Sequence, residues 1–206
     1  MTKRLAIFGG GGHGKVAAMV AESLDYDVVF FDDAYPEIKS CGKWAVVGNF
    51  TDLEATASDY DAGFVAIGNN AIRRKIFQRM SKIDVEIVNL IASTAAIDSS
   101  VTLGRGILVV GNSAVNIDAT LGDGVIINTN AVVEHDCHIG DFVHISPNAS
   151  IAGTVTIGAE SWIGIGSAVI QQINIGENVM VGAGSVVIND IQDNQKAVGS
   201  PTRIIS

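Results

Sequence analysis

From Ile97 to Val187 an aliphatic residue recurs at every sixth position, sixteen times in succession. With aliphatics filling a third of such a segment, chance would produce the run with a probability below about 10⁻⁶. A second restricted position follows four residues after each of these. From Val101 to Ser185 it holds only Val, Ile, Ala, Ser or Cys, and never a charge. Two inward positions in six residues, with Gly and Asn frequent between them, describe a short strand followed by a sharp corner. Three such units close a triangular coil of eighteen residues, stacked ~4.8 Å from the next. This excludes a sandwich or helical segment with accidental periodicity.

The first ninety-odd residues follow a different pattern. Lys3–Gly9 reads as a buried strand and Gly14–Leu24 as a helix, with strands at Asp27–Phe31 and Trp44–Val47. Gly63–Gly68 is a further strand, Ala71–Lys82 a basic helix and Val85–Leu90 a last strand. Strands separated by helices predict a parallel sheet with crossover helices. The expected organisation is therefore an α/β, Rossmann-like N-terminal domain over residues 1–92. An all-β parallel β-helix with a C-terminal tail follows over residues 93–206.

Composition narrows the function. The formal charge is −9 with only 13 Lys and Arg among 206 residues, so the basic footprint that a nucleic-acid binder needs is missing. An anionic ligand would have to be held by local backbone N–H groups. Cys41 and Cys137 are the only cysteines, no signal peptide precedes the first strand, and no apolar run reaches the ~18 residues of a membrane span. These features predict a reduced, cytoplasmic protein without membrane insertion.

Gly9-Gly10-Gly11-Gly12-His13-Gly14-Lys15 follows a strand and opens a helix. Glycine lets the backbone approach a ligand closely, and a helix N-terminus offers N–H groups to an anion, so a diphosphate is the natural guest. Gly9, Gly11 and Gly14 satisfy G-x-G-x-x-G, and Asp32 stands at the distance of a ribose-binding acid, which would suit a nicotinamide. The stretch also fits most of a P-loop, but Val16 replaces the Ser or Thr that would ligate Mg²⁺. The unit is short for a dinucleotide domain, which favours a mononucleotide carrying a sugar.

Three of the four histidines fall between Glu134 and His144. In the six-residue frame His135 comes two positions after inward Val133 and points outward near a corner. Acyl transfer from a thioester to an amine needs a base, and imidazole beside a carboxylate suits the task. Either Asp136 or Glu134 is placed to serve as that carboxylate. Adding one coil to His135 gives Gly153, whose missing side chain leaves room and a backbone N–H for an oxyanion. His138 and His144 lie six apart on adjacent faces, a poor tetrahedral set, so no metal is expected. Cys137 occupies an inward position and reads as core.

The chain resembles the sugar-nucleotide N-acetyltransferases that modify bacterial 4-amino-4,6-dideoxy sugars, the UDP-N-acetylbacillosamine N-acetyltransferase group in particular. The sialic acid O-acetyltransferases are more distant relatives. The resemblance rests on GGGGHGK at 9–15, FFDD at 30–33, VAIGNNAIRRKI at 65–76 and IVNLI at 87–91. VVEHDCHIGDFVHISP at 132–147, the AGTVTIG that follows and VGSPTRII near the end complete it. It implies a left-handed β-helix, acetyl-CoA as co-substrate and a homotrimer with coenzyme sites between neighbouring β-helices. It further implies His135 as general base with Asp136 as its partner, and His144, Ile165 and Ala183 on the coenzyme. Gly11, Gly12, His13, Asp32, Asp33 and Gly68 fall on the family's uridine-nucleotide contacts. The expected reaction is N-acetylation of a UDP-linked amino sugar. O-acetylation of a sialic acid or other sugar hydroxyl, and a non-catalytic nucleotide-sugar-binding scaffold, are the rival readings.

Overall fold

The computed structural model describes residues 2–205. The chain separates into two compact units, residues 1–93 and 94–206.

In the first unit β1 (Lys3–Phe8) leads through the glycine turn to α1 (Gly12–Ser23) and β2 (Tyr26–Phe31). A short β3 (Ser40–Cys41) and β4 (Trp44–Gly48) form a hairpin closed by Gly42 at φ +64°. Then come α2 (Phe50–Ala55), β5 (Ala62–Val65) and α3 (Asn70–Met80). The sheet runs β3-β4-β2-β1-β5, and all but β3 are parallel. Leu5, Ile7, Phe30, Phe31 and Phe64 fill its core.

Three details differ from the sequence expectation. Val85–Leu90 adds no strand to this sheet. It contributes one parallel bridge, Ile87 to Gly63. Second, α1 begins at Gly12, two residues early, which puts Gly12 and His13 in its first turn. Third, α2 was not expected, although Asn49 and Asp52 form a reciprocal capping box at its start.

The second unit is a stack of two-residue strands on three faces. The first face carries Ala96–Ile97, Ala114–Val115, Val132–Val133, Ser150–Ile151, Ala168–Val169 and Val186–Val187. The second runs from Thr102–Leu103 through His138–Ile139 to Asn174–Ile175. The third includes Leu108–Val109, Ile126–Ile127, His144–Ile145, Trp162–Ile163 and Met180–Val181. Partners are parallel and eighteen residues apart, as in Val115 with Val133. Both inward series are buried from Ile107 and Val109 onward. Hydroxyls at inward positions are satisfied by the wall, as where Ser161 Oγ donates to Gly176 O at 2.7 Å and accepts from Val179 N at 2.9 Å.

The corners show a second period that the side chains alone concealed. From Gly106 to Gly184 every sixth residue is left-handed, including Asn112, Asp118, Asn130, Asp136 and Asn148 near φ +60°. Gly, Asn and Asp enter this region most readily. Phe142, Thr154, Glu160 and Gln172 are held there as well.

The stack closes by breaking its own register. Lys196–Val198 pairs with Met180 sixteen residues back rather than eighteen, and Arg203–Ile205 folds antiparallel against it. The same tail engages Val186, whose N–H donates to Gly199 O and whose carbonyl accepts from Thr202 N.

Candidate active site

In the first unit the β1–α1 turn divides its glycines between two jobs. Gly9 takes φ +116°, and a Cβ there would lie 2.7 Å from Ala66 O; a Cβ on Gly14 would strike Gly9 O. These two are required by the fold. Gly11 and Gly12 have nothing within 4 Å of the place a Cβ would take. They open onto a cavity of about 390 Å³ whose lining brings together Gly11, Gly12, His13, Asp32, Asp33 and Gly68, with Phe8, Ile67 and Ile72 as apolar wall. The cavity thus gathers all six residues assigned to the nucleotide. A wider depression of about 740 Å³ beside Thr2, Glu22 and Tyr26 lacks any such turn.

The two aspartates differ in use. Asp32 Oδ2 accepts from Gly10 N at 2.7 Å and Oδ1 from Ala34 N at 2.9 Å, so its carboxylate braces the glycine turn. Asp33 accepts from Phe50 N at 3.3 Å and is exposed. Burial, and then the nearby Arg73 guanidinium, pull the His13 imidazole from 6.5 to about 4, so it is neutral at physiological pH.

In the second unit His135 is about half exposed, and its Nδ1 lies 2.8 Å from Asp136 Oδ2. The left-handed backbone of Asp136 turns that carboxylate back onto the preceding imidazole. Glu134 is engaged elsewhere, accepting from Asn116 Nδ2 at 2.8 Å. Asn116 was not picked out from the sequence, though it stands one coil before Glu134. With Nδ1 committed, Nε2 is the nitrogen left to take a proton. It points over Gly153, where a Cβ would sit 2.5 Å from His135 Nε2 and Cε1. The Gly153 N–H has no acceptor among the described residues. A base, an open space and a free donor therefore converge on one corner.

The residues assigned to the coenzyme lie elsewhere on the coil. Ile165 is 57% exposed, and Gly184 N donates to its carbonyl at 2.8 Å, which stacks Ile165 and Ala183 in one column. That column is the corner between the third and first faces; His135 occupies the corner between the first and second. His144 is buried on the third face, with its ring centroid 4.1 Å from that of Trp162 and Nε2 3.1 Å from Asn128 Nδ2. His138 sits on the second face with Nδ1 2.8 Å from Thr120 Oγ1. Among the described residues no group of three or more His, Cys, Asp or Glu is placed to hold a metal ion. Cys137 points inward, donates to Ala152 O at 3.2 Å, and burial pushes its thiol up, which suits core packing and not a nucleophile.

Rungs of this build with an exposed imidazole–carboxylate pair on a corner define a hexapeptide-repeat transferase. Residues 118–153 match the bacterial transferase hexapeptide family and residues 4–80 the PglD N-terminal domain family. The perosamine N-acetyltransferase PerB of Caulobacter crescentus, solved with CoA and GDP-perosamine, is 36% identical. It superposes with a TM-score of 0.94 over 100% of this chain and 99% of its own. The acetyltransferase domain of PglB from Neisseria gonorrhoeae, solved with acetyl coenzyme A, is 38% identical with a TM-score of 0.94, over 100% of both chains. UDP-N-acetylbacillosamine N-acetyltransferase of Bacillus subtilis is 36% identical over 111 residues, a stretch that spans 52% of this chain and 51% of that enzyme. The chain belongs to this family of acetyl-CoA-dependent sugar N-acetyltransferases.

Proposed function

We propose that the protein transfers the acetyl group of acetyl-CoA to the 4-amino group of a UDP-linked 4-amino-4,6-dideoxy-N-acetylhexosamine. The observation that carries this reading is the His135 imidazole, fixed by Asp136 through Nδ1 and aimed by Nε2 across Gly153. The substrate amine attacks the thioester carbonyl carbon while His135 Nε2 takes the proton the nitrogen sheds. The negative charge that develops on the carbonyl oxygen is met by the Gly153 N–H. Collapse breaks the C–S bond, and the CoA thiolate leaves and is protonated. Asp136 holds the imidazole in the productive tautomer.

The α/β unit supplies the nucleotide pocket. Its neutral His13 and the open glycine amides suit a diphosphate without relying on the net charge, which is negative. Acetyl-CoA lies along the Ile165–Ala183 column in this reading. Within one chain that column and His135 bound opposite edges of the first face, so a coenzyme on one copy meets the imidazole of the next. The first face itself carries small and mostly apolar side chains, Ala114, Val132, Ser150 and Ala168, flanked by exposed Ile170 and Ile188, and a homotrimer would cover it. Both cysteines are free and buried, and no helix among the described residues is long and apolar enough to cross a membrane; a cytoplasmic enzyme accords with both.

The test is CoA thiol release with UDP-, GDP- and dTDP-linked 4-amino sugars, each beside its 4-hydroxy counterpart. Turnover confined to the UDP amino sugar is expected. Preference for the GDP compound would move the substrate toward that of the perosamine enzyme, and turnover of the hydroxy sugars alone would overturn N-acetylation.

A further inference from the structure

Arg73 on α3 is buried to 1% exposure, whereas its neighbours Arg74 and Lys75 are exposed. One guanidinium nitrogen donates to the carbonyls of Ile67 and Gly68, both at 2.9 Å, and another to Asn70 Oδ1 at 2.9 Å. Arginine does not lose its proton inside a protein, so a full positive charge is fixed beneath this loop. A trans peptide holds its C=O and N–H antiparallel. Drawing the Ile67 and Gly68 carbonyls toward Arg73 therefore turns the N–H groups of Gly68 and Asn69 the opposite way. Neither has an acceptor among the described residues. Asn69 is held in this pose through its side chain, which accepts from Ile72 N at 3.0 Å. Gly68 lines the same cavity as Gly11 and Gly12, and a Cβ on it would meet nothing within 4 Å.

We propose that Arg73 is a positioning residue of the nucleotide pocket: it aims the Gly68 and Asn69 amides at a phosphoryl group of the nucleotide sugar and sets a fixed positive charge behind them. This rests on the reading that the cavity takes a nucleoside diphosphate. In a chain of net charge −9, attraction for such a group has to be built locally, and Arg73 supplies it without exposing a cation to solvent. The His13 imidazole, held neutral partly by the same charge, faces the ligand as an uncharged partner.

The experiment uses the full chain. UDP and GDP are titrated calorimetrically into the wild type, Arg73→Lys and Arg73→Gln, and thiol release gives KM for the nucleotide sugar and for acetyl-CoA. Arg73→Gln is expected to weaken UDP binding and raise the nucleotide-sugar KM roughly ten- to hundredfold, the range of a lost charge-assisted hydrogen bond. The acetyl-CoA KM stays within about twofold, since the same hydrogen bonds do not reach the coenzyme. Arg73→Lys, which keeps the charge and loses the planar fork, falls between. In ¹⁵N spectra of the wild type the Gly68 and Asn69 amides shift on addition of UDP, a measurement that needs no variant to fold. Unchanged UDP affinity in a folded Arg73→Gln, equal rises in both KM values, or unmoved Gly68 and Asn69 amides at saturation would each overturn the proposal. Failure of the underlying reading looks different: the wild type itself would bind neither UDP nor GDP.

Discussion

In the β-helix, His135 and Gly153 meet because they are eighteen residues apart on a lattice whose period was visible in the chain. In the α/β unit, Gly11, Asp32 and Gly68 meet because three separate strand ends converge on one side of a sheet. The first juxtaposition follows from counting, and its tolerance is set by the neighbouring rungs. The second depends on individual backbone choices, such as the φ of Gly9 and the carboxylate of Asp32, each of which the sequence leaves open. A repeat therefore encodes distances between side chains, whereas an open sheet encodes mainly the order in which they arrive.

Substitutions on each side sharpen that contrast. The largest effect is expected for His135→Ala, which should lower kcat by about 10²–10⁴-fold with little change in CoA affinity, read from thiol release and calorimetry. Retained turnover would remove the lattice corner from the chemistry. In the other unit, stability should depend on His13. Its folded value of about 4 lies below the unfolded 6.5, so between these limits the unfolded chain binds a proton that the folded chain refuses. The stabilisation is complete above pH 6.5 and is lost as pH falls toward 4, by about 3 kcal/mol in urea unfolding. His13→Gln should flatten that decline.

Gly153→Ala comes next. Its Cβ would meet the His135 ring and not the backbone, pushing the imidazole off its Asp136 partner, so the fold should hold while kcat falls roughly ten- to hundredfold. The smallest effect is expected at Thr154, a β-branched residue kept at φ +61°. Thr154→Asn should relieve about 1 kcal/mol of strain, visible as a rise of a few degrees in Tm.

What the sequence disclosed follows the same division. The rungs, the inward course of Cys137 and the partnership of His135 with Gly153 were legible because two side-chain positions repeat without interruption. Whether Asp136 or Glu134 supports the histidine was not, since the answer lies in a left-handed corner that reorients one carboxylate. In the first unit the glycine turn was recognisable, but the hydrogen bonds by which Asp32 accepts from Gly10 N and Ala34 N and braces that turn were not. Arg73 was not picked out from the rest of the basic helix. Its spacing to Ile76, Phe77 and Met80, three, four and seven residues on, is the spacing of a buried stripe and would have placed it inside.

The tail that breaks the eighteen-residue register bears on how long such a column can grow. A solenoid left with bare upper strands presents unpaired amides and carbonyls on every side, a template on which another chain could continue the winding. By shortening the final turn and folding Arg203–Ile205 back the other way, the polypeptide spends those groups on itself and presents a mismatched lid. Elongation into a fibre is thereby arrested at the level of the backbone.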